Sequence, residues 1–199
     1  DDGLTRVFSL GSVVPGEAAI MAEWALAEFG PKASLFKDMS IKYTQNQCKV
    51  FEGRWTQLSG EIVSAPEFGQ KQQGSLAAPV TAQVKEIKDS NPDVVALCSY
   101  PGGGAEAAAA LRAGGVETPV VSGFGMDGAF WLGAVPDLSD FYFVTYASVF
   151  GDDPNPKVAE LLAAYKDLTG SDAATSGLVT GASSIEAFAL AAEQAGSTN

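Results

Sequence analysis

Residues 91–123 read NPDVVALCSYPGGGAEAAAALRAGGVETPVVSG, and no other stretch limits the fold so tightly. Behind Pro92, the run 94–98 is apolar throughout and rich in valine. It is too short for a stable helix, and a strand that is apolar on both faces belongs inside a parallel sheet. Ser99, Tyr100, Pro101 and the glycines 102–104 then make a turn. An alanine-rich helix is expected over 105–113, with Gly114 and Gly115 as its stop. Residues 118–122 form a second buried strand. A strand-helix-strand unit of this length gives two parallel strands joined by a right-handed crossover. Ligands of open parallel sheets bind beyond the carboxyl ends of the strands. Tyr100 and Phe124 both fall there.

The rest of the chain repeats this alternation. LTRVFSL at 4–10 reads as a short strand or connector. A helix over 16–29 starts behind Pro15 and stops at Gly30. A strand at 33–37 leads into the loop DMSIKY, and Thr44 is placed to cap a helix reaching Leu58. The strand 61–67 is interrupted by Pro66. A loop, GQKQQGSLAAP, precedes a helix over 80–90. After the central unit come a short helix or turn at 126–135, an aromatic strand at 141–147, and helices over 157–168 and 176–194. The fold class is therefore α/β: a doubly wound, mostly parallel five-stranded sheet with helices on both faces. Four crossover elements already cover those faces. The helices at 16–29 and 157–194 are surplus, and are expected to pack in a second lobe that is mostly missing.

Composition removes several functions. A net charge of -12 opposes binding to nucleic acid or an anionic membrane surface, both of which need a basic face. With no histidine, Ser-His-Asp and Cys-His catalysis and the usual zinc ligands are gone. Neither calcium-loop spacing nor paired carboxylates at strand ends appear, so no metal ligand and no catalytic residue is assigned. No apolar run is long enough to cross a membrane as a helix. Cys48 and Cys98 lack a metal-ligand spacing and read as buried thiols rather than a disulfide. Gly102, Gly104 and Ala107 match a dinucleotide fingerprint in outline. They follow the third strand rather than the first, Ser122-Gly123-Phe124 offers no acidic ribose partner, and Glu106 would repel phosphate. The glycines are expected to permit a close backbone approach instead.

The order of several segments resembles the type I periplasmic (solute-)binding proteins, the leucine/isoleucine/valine-binding group that feeds ABC transporters. The segments are DMSIKYT, AQVKEIKDSNPDVVALCSY, ALRAGGVETPVVSGFGMD, FYFVTYASVFGDDPNPKVAELLAAYKDLTG and AFALAAEQAGS. The resemblance implies two α/β lobes clamping a ligand, with 32–141 forming one lobe. Residues 1–31 would be a connector and helix of the other lobe, and 142–199 a crossover and helices returning to it; the chain would be a fragment. By the same resemblance it is an extracytoplasmic solute-binding protein rather than an enzyme, with no cofactor, in the periplasm or on the extracellular face. Its partners would be a small-molecule ligand, ABC transporter membrane subunits and the rest of the other lobe. The ligand would be a branched-chain amino acid or a small aromatic or carboxylate compound.

Site residues follow residue by residue. Tyr43, in D-x-S-x-x-Y-T, and Tyr100 match ligand-contacting positions of the family. Phe124 stands where an acidic or polar side chain usually receives the ligand's ammonium, and Asp127 is the nearest acid that could replace it. Ser122 lies at the same edge, and Tyr146 lies where the family chain crosses between lobes. The loop at 69–84 is longer than the family's and lacks its D-F-S. Two other readings compete: a nucleotide-cofactor enzyme on a flavodoxin- or Rossmann-like domain, and a ligand-sensing domain of the same fold.

Overall fold

The computed structural model describes residues 10–11, 13–72, 74–136 and 138–197. Contacts divide the chain into a unit of residues 13–145 and a second unit built on residues 146–199. The expected strand or connector at 4–10 lies, except for Leu10, outside the described residues.

In the larger unit the alternation of side chains along one strand decides the layering. Along β4 (Val94–Cys98) every residue is buried. Val94, Ala96 and Cys98 join a core with helices α1 (Val14–Phe29) and α2 (Lys42–Gln57). Val95 and Leu97 point the other way, into a core with α3 (Thr81–Ser90) and α4 (Gly103–Ala113). The two-residue period of an extended chain thus feeds two cores from one apolar run.

The remaining strands are β1 (Lys32–Asp38), β2 (Glu61–Ser64), β3 (Glu67–Phe68), β5 (Val120–Ser122) and β6 (Phe141–Phe143). All named pairings are parallel, in the order β2-β1-β4-β5-β6, and β3 pairs with β1. Since β4 runs along one edge of β1, β2 and β3 share the other, interrupted at Pro66 as the missing proline N–H requires. The chain leaves β1 toward β2 and returns to β4 on the opposite side. The order in which strands are added therefore reverses between β1 and β4, and a crevice opens at their carboxyl ends.

Three expectations need correction. Helix α1 does not stand apart from this sheet: Ala18, Met21, Ala22 and Ala25 are buried in the core shared with α2, β1, β4 and β5. An apolar stripe shows that a helix face is covered but not by what. Cys48 and Cys98 are joined in a disulfide, Cα atoms 5.6 Å apart, tying α2 to the end of β4. Burial of each cysteine was the correct reading; that the helix stripe and strand end face each other only the tertiary packing decides. Thr44 lies inside α2, which starts at Lys42, and its hydroxyl donates to Asp38 O and Ile41 O.

The second unit carries α5 (Pro156–Thr169) and α6 (Gly177–Ala195). Asn155 caps α5 by accepting from Lys157 N, with Pro156 in the first turn.

Candidate functional site

At the carboxyl ends of β1, β4 and β5, two networks of buried polar groups close the edge of the sheet. The first centres on Glu17, 2% exposed on α1. Its Oε1 accepts from the Tyr43 hydroxyl at 2.7 Å, Gln47 Nε2 at 2.7 Å and Phe124 N at 2.6 Å. Tyr43 in turn accepts from Gly125 N at 2.8 Å. One carboxylate thereby pins α1, α2 and the 3-10 turn Phe124–Met126 together. Gly123 is required beside it, because a Cβ there would collide with both Gln47 and Glu17. Gln47 Oε1 is buried without a hydrogen-bond partner.

The second network fills the β1–β4 crevice. Asp38, fully buried, accepts from Ser40 N, Gln70 Nε2 and Ser99 Oγ. Gln70 also reaches Ser99 Oγ and Tyr100 O through Nε2, while its Oε1 accepts from Gly103 N in the first turn of α4. Glu106 Oε2 accepts from Leu76 N, so Gln70 and Leu76 are both held at that helix start. The glycines at 102–104 serve this contact. Gly102 has φ +96°, and a Cβ on it would strike the Gly74 backbone. One at Gly103 would strike Gln70. The close approach read from the glycines exists, and it admits the protein's own loop. That loop takes the Gly103 N–H and occupies the helix start where a dinucleotide phosphate would sit, which weakens the nucleotide reading.

Tyr43, Tyr100 and Phe124 come to one edge. Gly125 follows Phe124, and a Cβ there would press on both Ser99 O and the Tyr43 ring, so the three segments meet around it. All three side chains are half-buried. The Tyr43 hydroxyl is engaged with Glu17 and Gly125 N. The Tyr100 phenol is held above its ordinary pKa of 10.0, by burial first and then by the negative charge of Asp38.

The other expected residues sit differently. Ser122 is fully buried and donates to Leu97 O at 2.6 Å, bracing β5 against β4. Asp127 is 5% exposed and accepts from Thr145 Oγ1. Tyr146 opens the second unit and is 36% exposed. Sequence reading missed Glu17, Gln47, Asp38, Gln70 and Ser99 as site-forming groups. Asp38 and Ser99 carried a legible signal, a polar residue directly at the end of a buried strand. Glu17 and Gln70 carried none, since their partners lie up to 107 residues away. A separate cavity of about 430 Å³ lies between α1 and the strands β5 and β6, faced by Ile20, Met21, Trp24 and Tyr142. Its polar side chain Ser122 is already spent on Leu97 O.

A doubly wound lobe with aromatic side chains around its switch-point edge is the architecture of a small-molecule binding domain. The model of the periplasmic binding protein family matches residues 2–199, and the chain belongs to that family. No curated protein sequence matches the chain. Among solved structures, the fold is similar to a leucine binding protein, LivK, from Thermotoga maritima, with a TM-score of 0.79 at 19% identity over 94% of this chain and 52% of that one. The branched-chain amino acid substrate binding protein LivJ from Streptococcus pneumoniae, solved with isoleucine, gives 0.76 at 20% identity, over 88% and 49%. A solute binding protein of an ABC transporter from R. palustris, solved with benzoate, gives 0.68 at 15% identity, over 85% and 44%. The chain spans about half the length of these proteins.

Proposed function

We propose that residues 13–145 are the ligand-binding lobe of an extracytoplasmic solute-binding protein, which clamps a small organic molecule and delivers it to an ABC importer. The observation that carries the reading is the convergence of Tyr43, Tyr100 and Phe124 at the switch-point edge of a periplasmic-binding-protein lobe. Closure of a protein of this kind on its ligand follows from contacts that the ligand makes only in the closed state. The protein binds and releases without chemistry, and its further partners are the importer's membrane subunits. Its compartment is the periplasm or the extracellular face, in keeping with a disulfide, which persists in oxidising surroundings.

The ligand is a branched-chain amino acid or a small aromatic or carboxylate compound. Three aromatic rings favour an apolar body. Of the two classes the amino acid has the better electrostatic support. Phe124 lacks a charge, yet Glu17 brings a carboxylate to the same turn, and among the described residues no cation pairs with Glu17. A buried negative charge of this kind is eased by a ligand ammonium and worsened by a ligand carboxylate. The test is the thermal midpoint of the protein with isoleucine, leucine, benzoate or ATP. A rise with isoleucine or leucine that Tyr100→Ala removes supports the reading. A rise with ATP alone sinks it.

A further inference from the structure

The β1–β4 crevice is lined by groups that are buried, polar and arranged for one chemical shape. Asp38 and Ser99 are fully buried. Asp38 Oδ2, Ser99 Oγ and Tyr100 O surround Gln70 Nε2 at 2.5, 3.1 and 3.3 Å, and Gly103 N stands 2.9 Å from Gln70 Oε1. Ser99 donates its own proton to Asp38, so toward Gln70 it is an acceptor. The crevice therefore presents acceptors on one side and a single helix N–H on the other. Turning the amide over would set its oxygen against a carboxylate and its NH2 against an N–H, so the orientation is fixed.

We propose that this crevice is a recognition site for a primary carboxamide, filled in the resting protein by the side chain of Gln70. A carboxylate of the same size satisfies Gly103 N but sets a negative oxygen against Asp38. An alkylammonium satisfies Asp38 but leaves Gly103 N without an acceptor. Only the amide matches both sides. Gln70 consequently decides what the switch point can hold: a soluble ligand meets the aromatic rim and not the helix start, because Gln70 and Leu76 are already docked there. This inference does not rest on the solute-binding reading, and it holds or fails whatever that solute is.

Truncating Gln70 to Ala removes the atoms of acetamide, which makes acetamide the probe. In Gln70→Ala the thermal midpoint falls. Acetamide at about 0.1 M then restores about 2 °C of it in a saturable way, while acetate and methylammonium chloride do not. The unaltered protein shows no such gain. Equal responses to acetamide in both proteins, or equal responses of the variant to acetamide and acetate, would overturn the proposal. Should the variant fail to fold, the unaltered protein still decides the matter. Its Gln70 side-chain NH2, assigned by nitrogen-15 NMR, is expected to exchange with water far more slowly than a free glutamine amide. Exchange at the free rate would refute the assignment.

Discussion

Residues 13–145 and residues 146–199 both contain helices with large apolar side chains, yet they keep those groups in different surroundings. In the larger unit Trp55, Phe36, Phe51 and Leu111 are fully buried. In the smaller, α6 buries no residue and α5 buries only Val158, while Leu168, Ile185 and Phe188 are 87%, 73% and 66% exposed. The contrast teaches that helical periodicity reports a face meant to be covered, and that coverage is a separate fact supplied by a partner. A sheet gives α1 to α4 that partner on both of its sides.

The sharpest way to test this difference is Trp55→Ala. The ring stacks on Phe51 with centroids 5.2 Å apart, and its Nε1 donates to Pro31 O and Glu61 O. Its loss is expected to cost about 3–5 kcal/mol in guanidinium unfolding. Next comes the disulfide, which closes a separation of 50 residues. Replacing both Cys48 and Cys98 with alanine is expected to lower stability by about 2–4 kcal/mol, chiefly by freeing the unfolded chain.

Glu17→Ala follows at about 2 kcal/mol, because Tyr43, Gln47 and Phe124 N lose a shared buried acceptor. Glu17→Gln keeps an acceptor oxygen and costs less; equal losses for the two would mean that helix packing, not the network, carries the effect. Tyr100 gives a smaller, pH-dependent effect. Its folded pKa lies above 10.0. The unfolded chain therefore surrenders the phenol proton first as the pH rises. The contribution is complete below 10.0 and is lost as pH climbs through the folded value, so stability of Tyr100→Phe should fall less steeply than that of the unaltered protein over this alkaline window. Last, Phe188→Ala should change stability by no more than about 0.5 kcal/mol. A loss several times larger would show that α6 is covered in solution, and the contrast between the two units would disappear.

Much of the larger unit was legible in the residues. The strand at 94–98, the break at Pro66 and the stop at Gly114-Gly115, with φ +74° at Gly115, all appear where local chemistry put them. The segments of Tyr43, Tyr100 and Phe124 meet at one edge of the sheet, while a ligand-contacting role for these residues rests on the resemblance. Of the supporting polar groups, Asp38 and Ser99 carried the signal of a strand end, but Glu17 and Gln70 carried none. Nothing near Gln70 in the chain indicates that its amide enters a crevice formed by Asp38, Ser99 and Gly103, residues that lie 29 to 33 positions away.

The sequence by itself determined the parallel α/β class, the order of its elements and the exclusion of histidine chemistry. Those follow from short-range causes: side-chain period, backbone freedom and the presence or absence of a functional group. Only the tertiary structure decided that α1 belongs to this sheet, that Cys48 and Cys98 are bonded, that Glu17 pins three segments and that Gln70 closes the crevice. Each of these depends on which distant surfaces meet. A polar or sulfur atom declares what it can bind, but the fold alone selects the partner that arrives within reach.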